Sequence, residues 1–219
     1  MSDQTLDPCP SSLSRAILQI GDAVPDFVAR TTQGELTFSS LRGHWVMLFA
    51  HPADFTPVCT SEFIALARAA PQFQALNCAL VGLSVDSLPS HLAWVEAIRE
   101  RFGVSIPFPI VEDPSMAIAR AYGMLDTTAQ SSVTVRAVYV IDPEGIVQAI
   151  TWYPPTVGRS VKELLRLLKA LQQVAEDDVL TPEGWQPGEP VMCPAVQTQD
   201  AVAAAGPAWF MSLKQEGRG

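Results

Sequence analysis

The sequence predicts an α/β fold with a central mixed β-sheet flanked by helices. Apolar runs of strand length alternate with stretches of helical spacing along most of the 219 residues. Strands that alternate with helices favour a sheet covered on both faces. A β-branched run that ends at the turn Pro143-Glu144-Gly145 adds an antiparallel hairpin, so the sheet is expected to be mixed.

Each predicted strand is a short apolar or β-branched run bounded by turn residues. The predicted strands are a hairpin around Gly34-Glu35, the runs 45–50 and 79–85, a short extended piece in 107–114, and the hairpin partners 133–142 and 146–152. The predicted helices are 61–76, with its first turn reaching back to about residue 58, then 88–102, 116–123 and 161–174. Ser115 and Ser160 are expected to cap the last two helices, and Gly103 to end the second.

Composition and charge exclude several classes of function. Hydrophobic residues make up 48% of the chain and charged residues 17%, as in a packed globular protein. The net charge of −9 and the lack of clustered Lys and Arg make a nucleic-acid partner unexpected. No stretch approaches the ~18 apolar residues needed to cross a bilayer, so no membrane partner is expected. The opening residues resemble no secretory signal, and we expect a cytoplasmic protein.

The cysteine and histidine pattern predicts neither a disulfide framework nor a metal site. The four cysteines are widely spaced and form no C-x-x-C pair: Cys9, Cys59, Cys78 and Cys193. Only three histidines could add imidazole ligands: His44, His51 and His91. A structural zinc site is therefore not expected, and the sequence predicts no cofactor.

Cys59 is the main candidate for a reactive residue. It lies in HPADFTPVCTSEF, residues 51–63, between a buried strand and a helix. In the first turn of that helix it faces unpaired N–H groups and the positive end of the dipole, which favour a thiolate. Thr56 can supply a hydroxyl group to the site. Pro52 can form one wall of the pocket, and because proline has no N–H it does not compete as a hydrogen-bond donor. The alternative is an inert, buried thiol, which is the interpretation we keep for Cys78 and Cys9.

The pattern P-x-x-x-T-x-x-C, from Pro52 to Cys59, resembles the active-site signature of the peroxiredoxins. The longer segment resembles their one-cysteine subgroup. Further blocks match the family in order over about residues 20–195: GDAVPDF, FPIVEDPSMAIARAYGML, RAVYVIDPEG, YPPTVGRSVKELLRLLKALQ and TPEGWQPGEPVM. The resemblance implies a leader (1–19), a thioredoxin-like core (20–175) and a C-terminal dimerisation arm (176–219).

The resemblance also implies a function and a set of site residues. The implied activity is a thiol-dependent peroxidase that reduces hydrogen peroxide and organic hydroperoxides through a cysteine sulfenic acid. The implied catalytic residues are Cys59, Thr56, Pro52 and Arg136, and the implied supporting residues are His51, Glu62 and Arg159. Without the resemblance, Arg136 would be interpreted as a charge on the exposed face of a strand.

The partners implied by the resemblance are an external thiol and a second copy of the chain. The thiol would be thioredoxin, glutathione or a similar reductant. The assembly would be a homodimer, with a decamer or another ring of dimers as the larger form. Cys193, in VMCPA, has two interpretations that the sequence leaves open: a cysteine that resolves the sulfenic acid, or a small hydrophobe in the arm.

Three other functions compete with the peroxidase. A ring could serve as a scaffold or holding chaperone with incidental peroxidase activity. A thioredoxin-like disulfide reductase would need C-x-x-C, but the residues that follow Cys59 are Thr, Ser and Glu. Phospholipid hydrolysis, known in some members of the subgroup, is not expected, because Ala23 stands where those members have a serine.

Overall fold

The computed structural model describes residues 18–125 and 135–214. The strands in these residues are β1 (Val28–Thr31), β2 (Gly34–Thr37), β3 (Trp45–Ala50), β4 (Cys78–Ser84), β5 (Ile110–Glu112), β6 (Arg136–Ile141), β7 (Val147–Tyr153), β8 (Val191–Met192) and β9 (Leu213–Lys214). The helices are α1 (Pro57–Ala75), α2 (Leu88–Phe102), α3 (Ala117–Ala121), α4 (Val161–Glu176) and α5 (Gln199–Ala205). A 3-10 helix, Phe38–Leu41, follows β2.

Seven of these strands form one mixed sheet in the order β2-β1-β5-β4-β3-β6-β7. The central strands β3, β4 and β5 are parallel, whereas β6 runs antiparallel to β3 and β7 runs antiparallel to β6. The predicted mixed α/β sheet is therefore confirmed. In an open sheet with parallel strands, ligands bind beyond the carboxyl ends of those strands. The loop that follows β3 lies at this edge.

Two apolar layers enclose the sheet and explain why β3 is apolar at every position. Met47 and Phe49 face one layer, to which α1, α2 and α4 contribute side chains. Val46 and Leu48 face the opposite layer, which contains Phe38 of the 3-10 helix and residues of α3. Because side chains alternate along a strand, a strand covered on both faces has no polar positions.

The helix ends agree with the prediction at two places and differ at one. Gly103 ends α2 in the left-handed region at φ 65°, and the Ser160 hydroxyl accepts a hydrogen bond from the Glu163 N–H in the first turn of α4. Ser115 is not the N-cap of α3, since Met116 occupies that position at φ 60°, but its hydroxyl accepts a 3.3 Å hydrogen bond from the Ala117 N–H at the start of the helix. The carboxylate of Asp113 accepts a second, 2.7 Å hydrogen bond from the Ala119 N–H.

The C-terminal segment begins by packing on the core. Trp185, Val179 and Val191 form a small buried cluster with Ala170 of α4. Farther along, β8 pairs with β9, and large apolar side chains are exposed at Phe210, Met211 and Leu213. Residues 1–17 of the predicted leader, including Cys9, lie outside the described residues, and the boundaries of leader, core and arm remain predictions. Among the described helices, none has the length and apolar character needed to span a membrane.

Candidate active site

Cys59 lies in the first turn of α1, and its side chain is fully buried. The Thr60 N–H donates to the Thr56 carbonyl at 2.9 Å. The Cys59 N–H therefore belongs to the first turn, where amides have no carbonyl partner within the helix. Thr56 occupies the N-cap position, but its hydroxyl donates to the Ala53 carbonyl at 2.8 Å instead of capping the helix. Its oxygen can thus accept a hydrogen bond from another group.

Arg136 reaches the sulfur from the neighbouring strand. Because β6 runs antiparallel to β3, its first residue lies beside the loop that leaves β3. The Nη1 of Arg136 is 3.4 Å from the Cys59 Sγ and 2.6 Å from the Glu62 Oε2. The Nε and Nη2 atoms donate to the Pro155 carbonyl at 3.0 and 2.7 Å. Arg136 is 2% exposed, so its interpretation as a charge on an exposed strand face is wrong.

Glu62 connects Arg136 to a second buried arginine. It lies three residues after Cys59, and so on the same side of α1. One of its oxygens accepts from the Arg159 N–H at 2.7 Å and the Arg159 Nε at 2.9 Å. The other accepts from the Arg159 Nη2 at 2.8 Å and from Arg136. Arg159 also donates to the carbonyls of Ala50 and Ala137, which fixes it to the ends of two strands.

The carboxyl group of Glu62 is held in its ionised form. Burial, the largest single influence, would raise its pKa, but the hydrogen bonds and charge of Arg159, together with the charge of Arg136, lower the pKa overall. A buried carboxylate between two guanidinium groups compensates part of their charge. The site therefore combines Cys59 with two fixed cations and one fixed anion.

The other predicted site residues lie in the loop after β3 and in the C-terminal segment. Pro52 and His51 are buried in the loop after β3, and the His51 Nε2 lies 2.9 Å from the Asp54 carboxylate. Cys193 is half-buried in the arm, where its N–H donates to the Ser212 carbonyl. Cys78 is a buried thiol, and burial raises its pKa to about 12.

Sequence reasoning missed three contributors: the Pro155 carbonyl, Asp54 and His91. Asp54 lies inside the motif segment, whereas no local pattern marks His91 on α2. The ligand atoms of His51, Asp54 and His91 lie within 4.8 Å of one another, so among the described residues this group could hold a metal ion. The spacing argument against a zinc site could not reveal it, because the fold brings together residues that are distant in sequence.

A groove of about 570 Å³ begins beside the site. It lies between α1 and α2, and Thr56 forms part of its wall. The remaining lining is mostly apolar and includes Phe55, Trp94 and Phe102. Arg101 is the charged residue of the lining.

A buried cysteine at a helix N-terminus, facing a fixed guanidinium at the edge of this mixed sheet, is the arrangement expected of a thioredoxin-like thiol peroxidase. The family model described as the AhpC/TSA family matches residues 20–150, and that of the C-terminal domain of 1-Cys peroxiredoxin matches residues 170–205. The chain belongs to the AhpC/TSA family of peroxiredoxins and is a thiol-dependent peroxidase.

Relatives and solved structures agree with this assignment. The chain is 51% identical over 180 residues to peroxiredoxin 2 of Caldanaerobacter subterraneus subsp. tengcongensis, covering 82% of this chain and 81% of the relative. It is 46% identical to peroxiredoxin 2 of Thermoplasma acidophilum, covering 90% and 94%. A structure of yeast mitochondrial 1-Cys peroxiredoxin matches with a TM-score of 0.82 at 36% identity, covering 91% of this chain and all of that chain.

Proposed function

We propose that Cys59 is the peroxidatic residue and that Arg136 supports both its thiolate and the peroxide. The observation that favours this assignment is the 3.4 Å distance between the Arg136 Nη1 and the Cys59 Sγ. The guanidinium cannot follow the sulfur freely, because the Pro155 carbonyl holds its other nitrogens. A cation fixed before the substrate arrives costs little reorganisation during the reaction.

The reaction is a displacement at oxygen. The thiolate attacks one peroxide oxygen, so that an S–O bond forms as the O–O bond breaks. Sulfur is oxidised by two electrons to a sulfenic acid, and the other oxygen leaves as hydroxide or alkoxide and takes up a proton from water. Negative charge moves from sulfur to the departing oxygen. Donors must therefore reach both oxygens.

Thr56 and the Cys59 amide are proposed to orient the peroxide. The Thr56 hydroxyl gives its proton to the Ala53 carbonyl, so its oxygen can accept from the peroxide O–H. The Cys59 N–H, in the first turn of α1, can donate to the developing negative charge. Pro52 is proposed to shield the sulfur from water, and its burial at the start of the motif supports this role. His51 has a supporting role, as a buried partner of Asp54.

Glu62 and Arg159 are proposed to orient Arg136. A long arginine side chain loses rotamer freedom when it is fixed, and part of that loss is offset by hydrogen bonds made in the folded state. Glu62 supplies one such bond at 2.6 Å, and Arg159 holds Glu62 at both oxygens. Neither residue needs to contact the peroxide.

An external thiol is proposed to complete the cycle by a one-cysteine mechanism. The thiol attacks the sulfenic sulfur, releasing water and forming a mixed disulfide, which a second thiol then cleaves. Thioredoxin and glutathione are the candidate reductants. The similar yeast structure is described by its thiol resolving mechanism via glutathione and thioredoxin systems. Cys193 remains the candidate for a resolving partner across a dimer.

Two exposed surfaces support the proposed substrates and the proposed assembly. Hydrogen peroxide and organic hydroperoxides are the proposed substrates, and the apolar groove beside Thr56 supports the organic ones.

A homodimer, or a ring of such dimers, is the proposed assembly. The exposed apolar side chains of Phe210, Met211 and Leu213 support it. The proposed location is the cytoplasm, where thiols are kept reduced.

Cys59→Ser and Arg136→Lys test the assignment, with dithiothreitol as the reductant. Peroxide consumption should vanish in Cys59→Ser, because serine supplies no thiolate. Arg136→Lys should lose on the order of 10²–10³-fold in rate, as when one fixed donor to developing charge is removed. Arg68→Lys, on the exposed side of α1, is the matched control and should keep the wild-type rate. After treatment with peroxide alone, intact-mass analysis should find one added oxygen in the wild type and none in Cys59→Ser, and an equal gain in both would contradict the proposal.

A further inference from the structure

Three buried ionisable side chains, two in the active-site loop and one on α2, form a cluster, and the chemistry above assigns none of them a contact with the reacting atoms. His51, Asp54 and His91 have side chains that are 0%, 1% and 0% exposed. We call these three residues the Asp54 clamp. The His51 Nε2 lies 2.9 Å from the Asp54 Oδ1, and the His91 Nδ1 lies 2.8 Å from the Oδ2. The clamp therefore connects the loop after β3 to the first turns of α2.

The Asp54 carboxylate is ionised and accepts hydrogen bonds at both of its oxygens. Burial alone would raise its pKa, but hydrogen bonds from His51 and His91 outweigh burial and hold the pKa well below its usual range. An ionised carboxylate can only accept, so the two histidine nitrogens that face it must bear protons. The Ser90 hydroxyl donates to the same Oδ2 at 2.9 Å. The Asp54 N–H in turn donates to the Asp86 carboxylate at 3.0 Å.

The residue after Asp54 has a backbone conformation that needs such support. Phe55 adopts φ 56°, in the left-handed region, although it is not a glycine. In this conformation the Cβ atom crowds the following carbonyl oxygen, which is unfavourable for any residue other than glycine. Such residues persist where the surrounding structure determines them. The Phe55 side chain is 58% exposed, so its own packing contributes little.

The position of Thr56 depends on the same short backbone segment. Its hydroxyl is aimed by a hydrogen bond to the Ala53 carbonyl, one residue before Asp54. Arg136, by contrast, is held by Glu62 and the Pro155 carbonyl, which belong to other segments. Thr56, which orients the peroxide, and Arg136, which supports the thiolate, are thus held by different segments of the chain.

We propose that His91 is a positioning residue for the peroxide site, acting through Asp54 on the loop that aims Thr56. The inference rests on the proposed role of Thr56. Removing the His91 donor leaves Asp54 with one partner fewer on α2 and lets the strained segment relax. The Thr56 oxygen then no longer meets the peroxide in the productive orientation, whereas Arg136 and the sulfur remain in place.

A metal ion is the alternative occupant of the same three residues. Coordination through the His91 Nδ1 would require that nitrogen to lose its proton, and Oδ2 would have to exchange the Ser90 hydrogen bond for the metal. The distances of 2.8 and 2.9 Å are those of direct hydrogen bonds. The geometry therefore favours the clamp, and a bound metal is an outcome that the experiment must be able to detect.

His91→Leu and His91→Asn separate positioning from general destabilisation. Asparagine retains an N–H near the position of the imidazole Nδ1, whereas leucine has no donor. Two rates are measured on each folded variant: oxidation of Cys59 by hydrogen peroxide and alkylation of Cys59 by iodoacetamide. His91→Leu should lower the peroxide rate on the order of 10- to 100-fold while alkylation stays within about twofold, because a misplaced group affects only the oriented reaction.

Further variants and a metal analysis serve as controls for His91→Leu. His91→Asn should recover most of the peroxide rate, and His44→Leu, an exposed histidine before β3, should change neither rate. If His91→Leu does not fold, Ser90→Ala removes one donor to Asp54 and should lower the peroxide rate in the same selective way. A parallel fall of both rates, or an unchanged peroxide rate, overturns the proposal. So does a stoichiometric metal, found by elemental analysis of the purified protein, that is lost in His91→Leu.

The same assay distinguishes a failed proposal from a failed function. Thr56→Val tests the role of Thr56 itself, on which the clamp depends. If Thr56→Val keeps the wild-type peroxide rate while Cys59→Ser abolishes it, the peroxidase assignment stands and the positioning role of His91 falls.

Discussion

The Nη1 of Arg136 lies 3.4 Å from the Sγ of Cys59, and the same nitrogen donates to Glu62 at 2.6 Å. One guanidinium nitrogen therefore connects the sulfur to a buried carboxylate. The charge of that carboxylate is shared with Arg159, whose Nε and Nη2 donate to both of its oxygens. Any change at Glu62 must act on two cations as well as on the reaction centre.

Glu62→Gln should destabilise the fold and lower peroxidase activity. The amide keeps the shape of the side chain, but it removes the negative charge between two buried guanidinium groups. Breaking a buried pair by removing one partner costs about 3–5 kcal/mol. We expect a fall of this size in the free energy of unfolding, measured in denaturant. The peroxide rate should fall as well, because Arg136 loses a constraint on its position.

Glu163→Gln is the matched control for that experiment. Glu163 also lies on a helix and also pairs with an arginine, Arg166, but its side chain is 48% exposed. Exposed ion pairs contribute about 0–1 kcal/mol. If the two variants lost equal stability, the buried network at Glu62 would have no special role.

The pH dependence of stability should reveal the ionised state of Glu62. Its pKa is below the ordinary value near 4.5, because the hydrogen bonds and charge of Arg159 outweigh the effect of burial. The unfolded state therefore binds more protons than the folded state as pH falls below about 5. The stability contributed by Glu62 is fully present above that range and is lost as pH falls through the folded pKa. The difference in the free energy of unfolding between wild type and Glu62→Gln should therefore become smaller as the pH is lowered from neutral to acid.

The sequence predicted some features of this site and not others, for physical reasons. The position of Cys59 follows from local pattern, because an apolar strand and a helical stretch bracket it within a few residues. Arg136 did not follow from pattern, since a charge in a strand ordinarily marks an exposed face. The family resemblance was needed to place it in the pocket. The contact of Asp54 with His91 joins segments 37 residues apart, and only the parallel pairing of β3 with β4 brings them together.

Cys78 should remain unmodified under conditions that alkylate Cys59. Burial raises the pKa of Cys78 to about 12. At pH 8 its thiolate fraction would then be on the order of 10⁻⁴, and the thiolate is the reactive form. Peptide mapping after iodoacetamide treatment of the folded enzyme should find Cys59 labelled and Cys78 free of label. Labelling of Cys78 should require denaturant, and equal labelling of both in the folded state would contradict the prediction.

Cys193→Ser should leave turnover with dithiothreitol unchanged if the one-cysteine mechanism holds. An external thiol attacks the sulfenic sulfur directly, so no second cysteine is required. The measurement is peroxide consumption, together with non-reducing electrophoresis after one equivalent of peroxide. An oxidised dimer that forms in wild type and disappears in Cys193→Ser would instead identify Cys193 as a resolving residue across the dimer.

The two halves of the C-terminal arm should respond differently to the loss of an aromatic side chain. Trp185 is 1% exposed and packs with Val179 and Val191 against Ala170 of α4. Phe210, in contrast, is 62% exposed. Trp185→Ala should lower the free energy of unfolding by about 3–5 kcal/mol, the usual cost of deleting a large buried side chain. Phe210→Ala should have little effect on the stability of a single chain. If the exposed segment docks on a second copy, however, Phe210→Ala should shift the mass measured by light scattering towards the monomer at low concentration. An unchanged mass would remove Phe210 from the interface, and an equal loss of chain stability would mean that it packs on its own core.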